Sequence, residues 1–200
     1  MRALYPGLLA AAMLLFTASA ALAHQVNVSG VKYDETIDVR GTKLHLNGAG
    51  VRYKFVVKVY TAGLYLPKKA STAEEVLAMS GPKKMSITML RDIDSNELGK
   101  LFARAVEDNT PKSEMSRLVP GLIRMSQMFS DCKKLNAGDS FTVDWVPGTG
   151  TVINVSNPKC PPHSEPFKEP EFFNALMRIW LGPAPADWKL KDALLGKSSG

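Results

Sequence analysis

Between Leu46 and Pro67 the chain reads LNGAGVRYKFVVKVYTAGLYLP, and no other stretch restricts its folding as strongly. From Val51 to Leu66 there is no proline and one glycine, Gly63. Valine, phenylalanine and tyrosine dominate, and their branched or flat side chains pack well on a pleated, half-buried surface. The stretch predicts one long strand, entered through a hairpin turn at Asn47-Gly48. Side chains alternate along a strand, so Val51, Tyr53, Phe55, Val57, Val59, Thr61 and Tyr65 share one face, which is expected to meet the core. The opposite row starts charged, at Arg52 and Lys54, and ends apolar, at Tyr60, Ala62, Leu64 and Leu66. Such a row suits a sheet face that is part solvated and part covered. It equally suits a site that holds an acidic head group beside an apolar tail.

The first residues predict a targeting segment. Arg2 is followed by an apolar run from Leu8 to Phe16, then by small residues ending Ala21-Leu22-Ala23. This is the pattern of a secretory signal cleaved between Ala23 and His24, and export, to a periplasm, is expected. The apolar run is too short for a membrane span, and no integral span is expected elsewhere. The chain from His24 onward is long enough for one domain with an ample core. The formal charge of +6 is mild, and its densest spots are only pairs: Lys68-Lys69, Lys83-Lys84 and Lys133-Lys134. A nucleic-acid surface needs a concentrated basic footprint, so no nucleic-acid partner is expected and the lysines read as a solvated surface. Cys132 and Cys160 lie beyond the same end of an expected hairpin and are a candidate disulfide in an oxidising compartment, two buried thiols being the alternative.

Short strand-like runs at residues 26–31 and 36–40 precede the long stretch. A short helix over residues 70–79, capped by Ser71 or Thr72, and a strand over 84–90 follow it. Asp94 and Glu97 have capping-box spacing, and Leu98, Leu101, Phe102, Ala105 and Val106 follow at helical period, with Asn109 one turn on. A second helical region spans 114–133 with Pro120 inside it, so a kink or a break is expected there. Residues 140–146 and 151–156 form a hairpin about the Pro147–Gly150 turn. Residues 157–170 contain five prolines and read as a surface loop. An amphipathic helix starts near Pro170 and ends at Gly182, and a last helix over 188–195 is capped by Asp187.

Several chemistries lack their motifs. Gly48-Ala49-Gly50 precedes a strand rather than a helix, so it is no dinucleotide fingerprint. His24, His45 and His163 are far apart without ligand spacing, so no metal and no cofactor is expected. There is no G-x-S-x-G hydrolase elbow.

Taken in order, GAGVRYKFVVKVYTAGLYLP at 48–67, EDN at 107–109, GDSFTVDWVPGTGT at 138–151, FFNALMRIWLG at 172–182 and ALLG at 193–196 resemble the chalcone isomerase-like family. The chain is similar to a bacterial, exported member of it, a single chalcone isomerase-like domain whose core covers about residues 40–196. The resemblance implies an α+β open-faced β-sandwich, a large antiparallel sheet with helices packed on one face. The family holds enzymes that cyclise chalcones and non-catalytic members that bind fatty acids through an arginine and a tyrosine. The arginine corresponds to Arg52 and the enzymes' asparagine to Asn109. The enzymes' threonine falls at Tyr60, as in the fatty-acid binders; their tyrosine falls at Phe102 and a last hydroxyl position near Phe173.

Phe102 and Phe173 offer no hydroxyl to a developing enolate, a loss of roughly 3–4 kcal/mol per donor. The reading that follows is a monomeric, non-catalytic protein that binds a fatty acid or similar lipophilic acid through Arg52, Tyr60, Phe102, Asn109 and Phe173. An isomerase acting as an intramolecular lyase, and an interaction module with a filled core, are the alternatives. A side-chain-packed cleft, with Arg52 paired to a local acid such as Asp92, Asp94 or Glu107, would favour the interaction module. A straight strand would hold Arg52 and Tyr60 roughly 26 Å apart. A shared head group therefore requires the chain to turn between Lys54 and Lys58.

Overall fold

The computed structural model describes residues 24–161 and 165–197. The expected signal segment through Ala23 and the histidine at 163 lie outside the described residues. In chain order the elements are β1 (Gln25–Val28), β2 (Val31–Asp34), β3 (Thr36–Val39), β4 (Thr42–Lys54), β5 (Val57–Leu66), α1 (Ala73–Ala78), β6 (Lys83–Met89), β7 (Ile93–Asp94), α2 (Ser95–Asp108), α3 (Lys112–Cys132), β8 (Lys134–Leu135), β9 (Ser140–Val146), β10 (Gly150–Ser156), α4 (Pro170–Leu181) and α5 (Trp188–Leu194).

The long apolar stretch is not one strand. It is the end of β4, a two-residue turn at Phe55-Val56, and β5 running back antiparallel. Asn47-Gly48, expected to turn the chain, lies inside β4 at a bulge. These residues answer a packing need instead. A Cβ on Gly48 would lie 1.9 Å from the Ala193 carbonyl oxygen, and one on Gly50 would lie 2.7 Å from the Ala193 Cβ, so α5 can press on the strand only where side chains are absent. The Asn47 amide is buried and bonds the Ala70 backbone at both its N–H and its carbonyl, and also the Leu194 carbonyl.

Six strands form one antiparallel sheet in the order β10-β9-β6-β5-β4-β3. The helices pack on one face of it, the arrangement of an open-faced sandwich. The row expected to be part solvated lies beneath the helices: Tyr60, Ala62, Leu64 and Leu66 join the main core there, and of the other row Val59 does too. Tyr65 lies on the other face, in a small cluster with Tyr33, Leu44 and Leu46 under the β1–β2 hairpin. There the Tyr33 hydroxyl donates to Thr61 Oγ1 at 2.8 Å, and its ring sits where a Cβ on Gly63 would be, 2.6 Å away. Both faces of β5 are thus covered, which is why its two rows are equally apolar.

The helices start where their side chains can cap them. Thr72 and Glu75 form a reciprocal capping box on α1, Asp94 accepts from the Glu97 N–H on α2, and Asp187 accepts from Lys189 and Leu190 on α5. Helix α3 runs unbroken through Pro120 rather than dividing there. Lys83 departs from the solvated reading of the lysines. It is 4% exposed, and its ammonium donates to the carbonyls of Val76 and Met79 at the end of α1, where a helix leaves acceptors unpaired. Among its described residues the proline-rich loop sends Phe167 into the core, buried and stacked on Phe172 at 4.4 Å. The sulfurs of Cys132, at the end of α3, and Cys160 are bonded, with the Cα atoms 4.3 Å apart. Among the described residues no helix is long and apolar enough to cross a membrane.

Candidate functional site

The turn at Phe55-Val56 brings Arg52 and Tyr60 face to face. They are direct cross-strand partners in the β4–β5 ladder, and the guanidinium carbon lies 5.8 Å from the Tyr60 ring centre. Eight residues of separation become one rung of a hairpin, so the distance expected along a straight strand does not arise.

Both residues line a cavity of about 210 Å³ between β5, α2 and the segment after α4. Its walls are largely apolar: Val59, Ile93, Leu98, Phe102 and Ile179 line it, and Ala184, Pro185 and Ala186 form one side. Arg104 and Asp108 lie at the rim and face each other at 4.0 Å on the exposed side of α2.

Arg52 is half-buried, and its guanidinium makes no hydrogen bond or ion pair among the described residues. The acids that would have consumed it are engaged elsewhere or do not reach it. Asp92 pairs with Lys134 at 2.6 Å, and Asp94 caps α2. Glu107 is exposed, with no bond to Arg52. Asp187 is close enough to influence Tyr60 electrostatically, but its carboxylate accepts from three backbone N–H groups, those of Tyr53, Lys189 and Leu190.

Tyr60 is 2% exposed, and its hydroxyl oxygen accepts from Trp180 Nε1 at 2.9 Å. That bond leaves the phenol proton free to donate. Burial pushes the phenol up to about 12, and the charge of Arg52 and the bond from Trp180 only partly oppose this. Tyr60 is therefore a neutral donor at any physiological pH. The same shift has a consequence for stability. The unfolded phenol ionises near 10, so the tyrosine term is fully present below pH 10 and is lost as pH rises toward 12. Burial raises Tyr33 and Tyr65 in the same direction. Chemical denaturation between pH 10 and 12 should show stability falling by about 1.4 kcal/mol per pH unit from Tyr60. Tyr60→Phe is expected to flatten part of the slope.

Phe102 lines the cavity and is wedged among Phe129, Phe141 and Trp180, each 5.8 Å away between ring centres. Asn109 and Phe173 are not brought to it. The Asn109 amide is buried at the end of α2; its Nδ2 donates to the carbonyls of Ala105 and Ala184, and its Oδ1 accepts from the Ala184 N–H. Asn109 thus holds the wall at Ala184 instead of lining the space. Phe173 faces Trp145 and the Lys83 ammonium on another part of the sheet. Two contributors escaped sequence reasoning. Trp180 sat on the apolar stripe of α4 with no sign that its N–H meets a tyrosine. The 184–186 wall is a short alanine- and proline-bearing link without a motif.

The fold defines the class, and the sequence agrees: residues 25–196 match the family model described as chalcone isomerase-like. The chain belongs to the chalcone isomerase-like family. Among solved structures, a fatty-acid binding protein of Arabidopsis thaliana is similar, with a TM-score of 0.65 and 15% identity over 86% of this chain and 96% of that one. At that identity the likeness speaks for the fold. No curated protein sequence matches the chain.

Proposed function

We propose that the protein is a non-catalytic binder of a lipophilic carboxylic acid, working in an exported compartment. The observation that carries this is the guanidinium of Arg52, unpaired among the described residues, beside the free phenol proton of Tyr60 in the lining of an apolar cavity. Arginine offers a carboxylate two parallel N–H donors, and a neutral phenol adds a third. The similar Arabidopsis protein is a fatty-acid binder by its description, which supports the same ligand class. By the family resemblance Phe102 falls where the catalytic members have a tyrosine, and it gives the cavity an apolar wall and no donor for an enolate.

At about 210 Å³ the cavity is smaller than the range of roughly 300–1,000 Å³ that encloses drug-sized ligands. It takes a head group and the first part of a chain. Affinity for saturated acids is therefore expected to rise about fourfold per methylene and then to level off once the cavity is full. Titration calorimetry over a chain-length series measures this. Native mass spectrometry of the protein as purified, with extraction of anything bound, tests the reading directly. An empty protein that also ignores every added acid overturns it.

A further inference from the structure

The β4–β5 turn is unusual in what it displays. Phe55 and Val56 are 93% and 90% exposed, at the outermost point of the hairpin. Tyr53 and Val57 beside them are also exposed. Phe55 holds φ of +58°, while Val56 is not in that region. A two-residue hairpin loop with positive φ only at its first position ordinarily carries glycine there. Neither the turn geometry nor any contact asks for a phenylalanine, and the backbone is strained to carry one. Large exposed apolar side chains with no structural reason mark a docking surface.

The surroundings select the partner. From Val51 to Leu66 the hairpin carries Arg52, Lys54 and Lys58 and no acid. Trp188, 61% exposed, belongs to the same end of the molecule, because the preceding Asp187 accepts from the Tyr53 N–H. Lys191 lies over its ring at 5.1 Å, and Lys189 is exposed next to it. Of the acids on this segment, Asp187 is spent on backbone N–H groups and Asp192 faces Lys197. Aromatic and aliphatic tips ringed by lysines match the interface of an anionic bilayer, where rings enter the head-group boundary and cations meet phosphates.

We infer that the Phe55-Val56 hairpin tip, flanked by Lys54, Lys58 and Trp188, docks the protein on anionic lipid bilayers. The tip lies three rungs from Arg52, about 10 Å along the strand, so docking sets the cavity mouth close to the lipid surface. The inference does not require the cavity to hold an acid.

The chain from His24 onward, which carries every described element, is sedimented with vesicles of phosphatidylcholine alone and of phosphatidylcholine with about 30 mol% phosphatidylglycerol. Binding is expected to the anionic vesicles, weaker to the neutral ones, and to fall with salt. The double variant Phe55→Gly, Val56→Ser supplies the turn residues the geometry prefers. It is expected to melt no lower than wild type and to bind vesicles on the order of tenfold more weakly for each side chain removed. Lys54→Gln with Lys58→Gln should weaken only anionic binding, by about fivefold per lysine. Acid binding by the turn variant should be unchanged, so docking and the cavity reading fail separately. Vesicle binding equal to wild type in the turn variant overturns the inference, as does no vesicle binding by wild type. Self-association of wild type that the turn variant abolishes, without vesicle binding, would assign the tip to a contact between copies instead.

Discussion

Arg52→Ala is expected to weaken binding of a long-chain carboxylate by about 10- to 150-fold, the value of losing a charge-assisted hydrogen-bonded partner of about 1.5–3 kcal/mol. The fold should hardly notice. The guanidinium is half-buried, makes no bond among the described residues, and leaves no orphaned partner when removed. Melting temperature should therefore stay near that of wild type while affinity collapses, and calorimetry beside thermal denaturation separates the two. Arg52→Lys keeps the charge but loses the parallel pair of donors, so it should recover only part of the affinity. Tyr60→Phe is a less clean probe. Its hydroxyl also accepts from the buried Trp180 N–H, and an orphaned buried donor costs about 1–3 kcal/mol of stability. If Arg52→Ala binds acids as wild type does, the head group lies elsewhere.

Much of the frame was legible because local chemistry and tertiary packing agree there. The caps Thr72, Asp94 and Asp187 start helices where the sequence places them, and the β9–β10 hairpin forms about its proline–glycine turn. The errors concentrate where a long-range contact overrides a local signal. Asn47-Gly48 reads as a turn by its own preferences, yet it serves the approach of α5, almost 150 residues away along the chain. The true turn, Phe55-Val56, carries none of the usual turn residues, so the sequence alone predicts one strand there. A single strand over 51–66 also counts Phe55 and Val57 toward a core-facing row, although both are exposed. It hides the most useful fact about the site, that Arg52 and Tyr60 are neighbours. The family resemblance placed the arginine and tyrosine together in function before the spacing allowed it in space. Asn109 and Phe173 had only the resemblance behind them, and the structure puts both outside the cavity.

For Asn109 this relocation changes the expected phenotype from lost binding to lost stability. Its amide closes three hydrogen bonds, two from Nδ2 to the carbonyls of Ala105 and Ala184 and one to Oδ1 from the Ala184 N–H. It thereby ties the end of α2 to the segment that follows α4. The neighbouring Gly182 leaves room for it, since a Cβ there would lie 2.2 Å from Asn109 Oδ1. Asn109→Ala removes all three bonds at about 0.5–1.5 kcal/mol each, a total loss of about 2–4 kcal/mol. In a chain of this size that corresponds to a melting temperature about 5–15 °C lower. Asn109→Asp should be worse at neutral pH, because a carboxylate would face two carbonyl oxygens with no proton to give them. Acidification should return part of its loss, as the protonated acid regains one donor, whereas the alanine variant should show no such recovery. Acid binding should weaken in both, but only as the wall at Ala184, Pro185 and Ala186 loosens, and far less than in Arg52→Ala. An Asn109→Ala protein that melts like wild type yet no longer binds would return Asn109 to direct contact with the ligand, against the hydrogen-bonding that the fold assigns to it.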